Sequence, residues 1–504
     1  MALLSAFVAG AVLLSAQAPP PDDSILLRVL TTNDVHGALV ASVQPWSNHR
    51  PVAGVAAVAG MMARLTRECG CAAIRLDGGD VMQGTPVSNL SYGRATVEAF
   101  NAMGYAASAI GNHEFDWGLD TLQARVRQAR FAWLSSNLRE RETGAVPPWV
   151  VPWRIVSAGG RRVALVGYTT VTTPMTTRPT IVAGLRFDSG PARLDAAIAA
   201  ARLEHPDFVI VVAHEGAFCG SGTCRGEVVD LARALKERPD LIVSGHTHSL
   251  ITTTVNGIPI VQARSNGTAL GVVDFVDSAG TRVAHIRVET VWADRESADT
   301  SVARIVDSYL RRTEPLTERV VATLAAPLER RGDQYALGNL IADGYRAAAH
   351  SDVAIVNNGG IRADLPAGTV TWGQLFEVVP FQNFVVRLTV TGAVLRQALE
   401  HAVGMADARA HVSGIRVRVT PANPAGQRVT AVTLADGRAL LDTASYTLAV
   451  PDFMAAGGSG YAMLRLPAEN TGIVDLDAVV DYLRGLPQPI RPADEVRVDS
   501  GTSP

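Results

Sequence analysis

Lysine is almost missing from this chain of 504 residues: Lys236 is the only one, and arginine carries nearly all the positive charge. The net charge is −3, and no block of cationic residues occurs. This pattern argues against polymeric nucleic acid as a partner. Aromatic residues are also scarce, at 6% of the chain. Beyond the N-terminus no segment is long and apolar enough to cross a bilayer, which predicts that the chain has no stable membrane span.

Cysteine is the next scarce residue, with four in the chain. Cys219 and Cys224 enclose a short loop that a disulfide closes in an oxidising compartment. The alternative is a metal site of the Cys-x-x-x-x-Cys type, but no second pair occurs at zinc spacing. Cys69 and Cys71 are separated by one residue, which is too close for an easy mutual bridge, so the sequence leaves them unassigned.

Residues 1–18 have the pattern of a signal peptide. The apolar stretch from Met1 to Leu14 is too short for a membrane span, and the Ala16-Gln17-Ala18 tripeptide after it resembles a cleavage site. The stretch has no Lys or Arg near its start, and Pro19 would follow the cut. A buried N-terminal helix is the alternative. The pattern favours export to the periplasm or medium.

Polar residues able to bind a divalent metal follow five predicted strands. The strands are apolar runs rich in Val and Ile, typical of strands covered on both faces, at residues 25–30, 72–76, 106–110, 208–213 and 241–244. One such segment alone is typical of a capped turn or a core histidine. Five in one register predict a joint site, because side chains just past several strand ends converge along one edge of a sheet. The candidate ligands are Asp34, His36, Asp80, Asn112, His214, His246 and His248.

Imidazole and carboxylate donors without any thiolate suit Zn, Mn or Fe and argue against a structural zinc of the cysteine type. Seven donors are too many for one ion and about right for two, with Asp80 as a bridge. Two metals roughly 3.5–4 Å apart are a standard device for in-line displacement at phosphorus. Because such metals bring a bound water toward deprotonation at neutral pH, no protein nucleophile is needed. The sequence therefore predicts a phosphohydrolase that uses metal-activated water.

His113 has a different predicted role from its neighbour Asn112. Because the two residues are adjacent, the ring of His113 is expected to point away from the metal that Asn112 binds. This leaves the ring free to stabilise the equatorial oxygens of the phosphate or to protonate the leaving alkoxide. Asp116 is expected to hold the imidazole in position.

The segments Thr32–Gly37, Gly78–Pro86, Gly111–Gly118 and Gly245–His248 resemble the calcineurin-like metallophosphoesterases. More narrowly, the chain resembles the 5′-nucleotidase/UDP-sugar hydrolase family, because the C-terminal third also matches. The resemblance implies an α/β fold, with a four-layer αββα metallophosphoesterase domain followed by a smaller α/β substrate-binding domain. The expected boundaries are 24–292 for the first domain, 293–318 for a linker helix and 319–498 for the second domain.

The resemblance also implies a role for each candidate ligand and for the pair beside them. The residues that match Asp34, His36, Asp80 and His248 bind one metal in that family. Those that match Asp80, Asn112, His214 and His246 bind the other, and the counterparts of His113 and Asp116 form a catalytic dyad.

The predicted second domain contains a strand that leads into a Gly-rich turn with an arginine. Such turns present backbone N–H groups to phosphate, although a simple turn is the commoner explanation. In the family, the counterparts of Asn357 and Arg362 contact the base and phosphate of the substrate. Arg331, or its neighbour Arg330, is expected to supply a second cation.

Phe381 and Phe453 both lie in loop-like stretches, where a phenylalanine is most often a core plug. In the family these two positions form a clamp that stacks on the nucleobase, a contact worth about 1–3 kcal/mol per base. The chain departs from the family at Ala456 and Ser459, where Asn and Asp are common. Ser459 is a weaker partner for the ribose hydroxyls than an acid.

The leading hypothesis is an exported hydrolase of nucleoside 5′-monophosphates that uses two divalent metals. UDP-sugars and 2′,3′-cyclic nucleotides are alternative substrates. A thiosulfohydrolase shares the two-domain plan, but the two loop phenylalanines argue against it. A non-catalytic nucleotide-binding or adhesion protein is disfavoured because the ligand set is intact. Composition and motifs leave the oligomeric state and the preferred base open.

Overall fold

The computed structural model describes residues 25–500 apart from 221, 279–280, 405–408, 492 and 494. The signal peptide predicted for residues 1–18 lies outside this range. None of the described helices is long and apolar enough to cross a membrane. The described chain forms two α/β domains, and the predicted fold class is confirmed.

Two six-stranded sheets form the centre of the N-terminal domain, and four neighbouring strands are parallel in each. In spatial order, the first sheet contains Thr281–Thr290, Ala269–Ser278, Ile25–Thr32, Ala73–Asp77, Ala107–Ala109 and Ala132–Leu134. The second contains Leu250–Val255, Ile258–Ala263, Leu241–Val243, Phe208–His214, Arg161–Thr169 and Trp153–Ala158.

All five strands predicted next to candidate ligands are present, each within two residues of its predicted bounds. Every residue of Phe208–His214 is buried, which explains the apolar composition of the strand up to residue 213. The five strands belong to the parallel parts of the two sheets, and their carboxyl ends carry the candidate ligands. The sheet topology therefore brings these ligands to one edge.

The N-terminal domain has four layers. The two sheets pack face to face through an apolar layer that includes Val29 and Leu76 from one sheet and Ile210 and Val212 from the other. The outer face of the first sheet is covered by helices Val55–Cys69, Arg94–Met103 and Leu119–Gln128. Helices Ala192–Arg202 and Glu227–Ala234 cover the second sheet. The predicted αββα arrangement is confirmed.

A long helix, Thr300–Thr317, leads from the first domain to the second. It begins at Thr300 rather than at residue 293, and the carboxylate of Asp299 caps its first turn. Its buried residues Val302, Val306 and Tyr309 pack into the core of the N-terminal domain. Near its end, Leu316 packs against the core of the second domain, so the helix contacts both domains. The exact domain boundaries stay a prediction.

The C-terminal domain is built on a five-stranded sheet covered on both faces. Its strands, in spatial order, are Ala410–Ser413, Val353–Asn357, Ser445–Pro451, Phe384–Thr391 and Ala468–Val474. Helices Ala336–Ala348, Trp372–Val378 and Asp475–Gly485 cover one face, and Gly392–Gly404 covers the other. Smaller sheets pair Val320–Leu324 with Gly368–Thr371, and Ile415–Val419 with Val429–Leu434 on one side and Val498–Asp499 on the other.

Short elements complete the fold. They are the strand pairs Ala41–Val43 with Pro51–Ala53, Leu138–Glu140 with Leu185–Phe187, and Phe218–Gly220 with Thr223–Arg225, and the one-turn helices Pro86–Asn89, Thr173–Thr176 and Asp452–Ala455.

All four cysteines are disulfide-bonded. Cys219 and Cys224 pair as expected and close the hairpin after His214. The expectation that Cys69 and Cys71 lie too close to bridge is wrong, because the structure pairs them with Cα atoms 5.0 Å apart. The helix ends at Cys69 and the chain reverses at Gly70, which adopts a left-handed φ of 60°. This reversal brings the two side chains together.

Candidate active site

The candidate ligands form two adjoining groups at the carboxyl ends of the parallel strands. One group contains Asp34, His36 and His248, and the other contains Asp80, His214 and His246. Within each group the ligand atoms lie within 4.8 Å of one another. The two groups meet where His36 Nε2 lies 3.9 Å from Asp80 Oδ2. Asn112 joins the second group, with its Oδ1 atom 3.1 Å from His214 Nε2. The structure thus brings all seven predicted residues together.

The backbone at this edge adopts an uncommon conformation. A positive φ is unusual outside glycine and is concentrated at functional sites, where the surrounding structure compensates for the strain. Five of the seven candidate ligands have one: Asp34 at 48°, His36 at 51°, Asp80 at 55°, His246 at 75° and His248 at 55°. The sharp turns aim successive side chains at a common centre.

The hydrogen bond to His36 fixes which of its nitrogens carries the proton. Its Nδ1 atom lies 2.8 Å from the carbonyl oxygen of Gln83, which only accepts, so Nδ1 is the donor. In the neutral ring Nε2 then presents a lone pair. That atom lies 3.0 Å from Nε2 of His248 and 3.9 Å from a carboxylate oxygen of Asp80. Lone pairs that face one another at this distance require a cation or a proton between them.

His214 repeats this arrangement in the second group. Its Nδ1 atom donates to the carbonyl oxygen of Gly78 at 2.9 Å. Its Nε2 atom lies 3.1 Å from Asp80 Oδ2 and 3.1 Å from Asn112 Oδ1. In the neutral ring all three atoms are acceptors. A backbone carbonyl that orients the far nitrogen of an imidazole is the usual outer partner of a metal-binding histidine.

Protons alone satisfy only part of this cluster. Burial opposes ionisation of Asp34, but His248 and His214 outweigh it and lower the pKa of the carboxyl to about 2. Burial works to lower the pKa of His214, yet Asp80 and Asp34 raise it to about 10. In contrast, burial and then His214 lower the pKa of His246 to about 3. Buried carboxylates and imidazoles in two adjoining groups fit two divalent ions.

Glu114 holds the loops that carry the ligands. Its carboxylate accepts three backbone N–H bonds, from Asp80 at 2.9 Å, from Val81 at 2.8 Å and from Gly111 at 2.8 Å. The residue before Asp80 must be a glycine, because a Cβ at Gly79 would lie 2.7 Å from Nδ1 of His214. Glu114 was not predicted as a site residue, although it lies inside one of the recognised motifs.

His113 and Asp116 form a pair beside the ligand groups. The Nδ1 atom of His113 lies 2.7 Å from Asp116 Oδ2. The backbone N–H of His113 donates to Asp80 Oδ1 at 2.8 Å. Burial works to lower the pKa of His113, but Asp116 and Asp80 outweigh it and raise the pKa. His113 belongs to neither ligand group, although its ring centroid lies 5.4 Å from that of His36, and the raised pKa disposes the ring to carry a proton.

The C-terminal domain contributes two of its predicted residues to this centre. The ring of Phe381 stacks on that of His113, with centroids 5.4 Å apart at 29°. The guanidinium carbon of Arg362 lies 5.8 Å from the centroid of Phe381. Burial lowers the pKa of Arg362, and the carboxylates of Asp80 and Asp34 oppose that effect. A cation and an aromatic ring from the second domain therefore face the metal-binding edge of the first.

Side chains of the N-terminal domain hold the loop around Phe381. Asn89 Nδ2 donates to the carbonyl oxygen of Pro380 at 2.9 Å. Arg178 Nη2 donates to the carbonyl oxygen of Gln382 at 3.0 Å. The sequence gives no indication of these bonds, because asparagine and arginine side chains that bind backbone carbonyls have no motif.

Two other predicted substrate residues contact their own domain. Asn357 ends its strand, and its amide faces Gly360 of the same turn. Phe453 packs against Gly458 and the apolar core of the C-terminal domain.

The structure does not bring Arg331 to the site. Its side chain is 79% exposed, and its guanidinium pairs with Glu329 at 3.0 Å. Arg330 is the nearer cation, because it binds the carbonyl oxygen of Ile361 at 3.1 Å and acts on the pKa of Arg362. Of the two arginines considered, Arg330 is therefore the better candidate for the second cation, and its role stays a prediction.

Comparisons with known proteins match both halves of the chain. Residues 27–250 match the family model for calcineurin-like phosphoesterases, and residues 320–465 match the model for the 5′-nucleotidase C-terminal domain. The 5′-nucleotidase of Vibrio cholerae is 28% identical, over 96% of this chain and 94% of the relative. A solved 5′-nucleotidase precursor from Thermus thermophilus superposes with a TM-score of 0.84 at 28% identity, over 94% of this chain and 99% of that chain.

A second relative is longer than this chain. Endonuclease YhcR of Bacillus subtilis is 30% identical over 506 residues, and the match spans 95% of this chain but only 41% of the relative.

Fold, site and family models together define a calcineurin-like metallophosphoesterase. With the second family model and the match along nearly the whole chain, the chain belongs to the 5′-nucleotidase family, and it is a phosphohydrolase of that family.

Proposed function

We propose that this enzyme releases phosphate from nucleoside 5′-monophosphates with the help of two divalent metal ions. The proposal is carried by one observation: the two ligand groups meet at His36 and Asp80. Beside this meeting point, the other domain supplies the guanidinium of Arg362 and the ring of Phe381, which stacks on His113. Two metal sites suit phosphoryl transfer. A ring beside a phosphate-binding site suits a substrate with a planar base.

We assign one metal to Asp34, His36 and His248, with Asp80 shared. We assign the other metal to Asp80, Asn112, His214 and His246. When bound, the two ions activate water and neutralise charge on the phosphate oxygens. No thiol or hydroxyl nucleophile is assigned.

The chain's own residues supply the remaining steps. Arg362 binds the phosphate of the incoming nucleotide, since a guanidinium forms paired hydrogen bonds with phosphate oxygens. Asp116 holds the imidazolium of His113 toward the scissile bond. As the oxygen of water bonds to phosphorus and the bond to the ribose 5′-oxygen breaks, His113 gives its proton to the departing oxygen. Phe381 and Phe453 bind the base.

Export fits the cysteine chemistry of the chain. Both disulfides require an oxidising compartment to persist. We therefore propose a periplasmic or secreted enzyme, which cell fractionation tests directly.

The substrate proposal is tested by phosphate release from the purified protein, stripped with a chelator and reloaded with Zn²⁺ or Mn²⁺. The panel contains the nucleoside 5′-monophosphates, UDP-glucose, 2′,3′-cyclic AMP, an oligonucleotide and a protein-bound thiosulfonate. We expect the highest kcat/KM for 5′-monophosphates and no turnover without metal. Turnover confined to the thiosulfonate or the oligonucleotide contradicts the proposal.

Matched histidine variants test the metal assignment. His214→Ala removes a ligand from the second group, whereas His285→Ala changes an exposed histidine on an outer strand of the first sheet. We expect metal analysis to show a lower metal content only for His214→Ala. Equal metal content in both variants contradicts the assignment.

A further inference from the structure

Both carboxylate oxygens of Asp116 have a partner, and only one of these partners is His113. Oδ2 binds the imidazole at 2.7 Å, and Oδ1 accepts a hydrogen bond from the hydroxyl of Thr177 at 2.8 Å. Thr177 is 2% exposed and lies 61 positions along the chain from Asp116. It belongs to none of the recognised motifs. Its hydroxyl therefore reaches the pair from a separate segment of the fold.

The segment that carries Thr177 is firmly held. Thr177 follows the one-turn helix Thr173–Thr176, and its backbone N–H donates to the carbonyl oxygen of Thr173 at 3.0 Å. The hydroxyl of Thr173 donates to the carbonyl oxygen of Thr170 at 2.7 Å. Earlier in the same segment, the hydroxyl of Thr172 lies 3.4 Å from Nε2 of His246. The donor to Asp116 thus belongs to a segment that also contacts the second ligand group through the side chain of Thr172.

We propose that Thr177 is a positioning residue for the His113–Asp116 pair, an inference that rests on the catalytic role proposed above for that pair. A carboxylate with a single partner rotates about its Cβ–Cγ bond and carries that partner with it. The hydroxyl of Thr177 fixes the second oxygen, so the plane of the carboxylate and the direction of the His113 ring are both set. Such support by an outer hydrogen bond keeps a reacting group within the narrow range of geometry that catalysis requires.

A purely structural role is the alternative, in which Thr177 fills space and caps a turn. The two roles make different predictions, because only a positioning role requires Asp116. Removing the hydroxyl should then matter in the normal enzyme and should not matter once the carboxylate is gone. Double-mutant cycles measure this dependence.

The experiment compares Thr177→Val, which keeps the shape and loses the hydroxyl, with Thr177→Ser, which keeps the hydroxyl. Each is made in the normal chain and in Asp116→Ala. Thr176→Val is the matched control, because that hydroxyl bonds only to the carbonyl oxygen of Thr172, at 3.2 Å. kcat and KM are measured with AMP and with p-nitrophenyl phosphate, and melting temperature and metal content are recorded for every variant.

We expect Thr177→Val to lower kcat roughly 10- to 100-fold, the effect of losing one hydrogen bond to a charged group, with KM, metal content and melting temperature nearly unchanged. Thr177→Ser should retain most of the activity, and Thr176→Val should resemble the normal enzyme. In the Asp116→Ala background, Thr177→Val should change kcat by less than about twofold.

Two results overturn the inference: normal kcat in Thr177→Val, or the same loss with and without Asp116. Failure of the proposed function looks different. In that case the normal enzyme hydrolyses p-nitrophenyl phosphate but not AMP, and the comparison of Thr177 variants remains valid on the first substrate.

Discussion

Removing the guanidinium of Arg178 tests whether the two domains must stay docked during catalysis. The loop that carries Phe381 contacts the first domain on both sides of that residue. Arg178 binds the carbonyl oxygen of Gln382 at 3.0 Å, and Asn89 binds that of Pro380 at 2.9 Å. Phe381 stacks on His113 between these two bonds. The loop is therefore fixed at the point where the second domain meets the proposed catalytic pair.

The size of the effect follows from these contacts. A hydrogen bond from a charged donor contributes about 1.5–3 kcal/mol, and partial exposure of Arg178 brings the expected loss to about 1–2 kcal/mol. This corresponds to roughly a 5- to 30-fold fall in kcat/KM for AMP. Asn89→Asp removes one neutral donor and keeps the acceptor that binds the backbone N–H of Gly84 at 2.8 Å. Because Asn89 is buried and the new carboxylate oxygen faces the carbonyl oxygen of Pro380, we expect this change to cost at least as much as Arg178→Ala, at about 1–3 kcal/mol.

The assay measures kcat/KM for AMP in Arg178→Ala, in Asn89→Asp and in the double variant, with Arg233→Ala as control. Arg233 pairs only weakly with Asp230 on the surface, with its side chain 59% exposed. Small-angle scattering on the same samples reports whether the domains separate. Normal kcat/KM in the double variant, with unchanged scattering, refutes the view that these bonds hold the domains together for catalysis.

Three further predictions concern single residues. Asp80→Ala should abolish activity and reduce bound metal, whereas His113→Ala should lose activity and keep its metal; loss of metal from His113→Ala would make that residue a ligand. Phe453→Ala should raise KM for AMP roughly 5- to 150-fold and leave p-nitrophenyl phosphate nearly unaffected, since base stacking is worth about 1–3 kcal/mol; equal losses on both substrates would make Phe453 a core plug. Burial, and then Arg497, lower the pKa of His411 to about 3. Below about pH 6.5 His411 is protonated in the unfolded chain but stays neutral in the folded chain until the pH nears 3. Between these values the free energy of unfolding should therefore fall by about 1.4 kcal/mol for each pH unit of acidification. Melting curves of His411→Phe at pH 7 and pH 5 should show a smaller acid loss than the normal chain; identical losses contradict this assignment.

The meeting of the candidate ligands at one edge could be predicted because its information is local in the sequence. Each candidate ligand lies at or shortly after the end of a strand, and an unbroken apolar run such as residues 208–213 identifies the strand. Parallel strands end at the same edge of a sheet, so residues 180 positions apart, such as Asp34 and His214, meet there without any long-range information. The same runs predict strands covered on both faces, whereas the four-layer arrangement is what the family resemblance implies.

The rest could not be predicted, because it depends on how separate segments approach one another. Asn89 and Arg178 act on backbone carbonyls of the other domain, and a carbonyl is present at every position, so no residue pattern marks the target. Arg331 shows the same limit within one loop. Arg330 and Arg331 are identical in type, and only the fold shows that Arg330 faces Asp364 and Ile361.

Asp80 connects the predictable and the unpredictable parts of the site. Its Oδ2 atom serves both ligand groups, lying 3.9 Å from His36 and 3.1 Å from His214. Its Oδ1 atom accepts the backbone N–H of His113, and its own N–H is held by Glu114. A displacement of this one carboxylate therefore moves both proposed metals and the proposed proton donor together. Asp80 adopts a strained left-handed backbone conformation, which the surrounding hydrogen bonds stabilise. This conformation keeps its carboxylate in contact with both ligand groups and with the proposed proton donor.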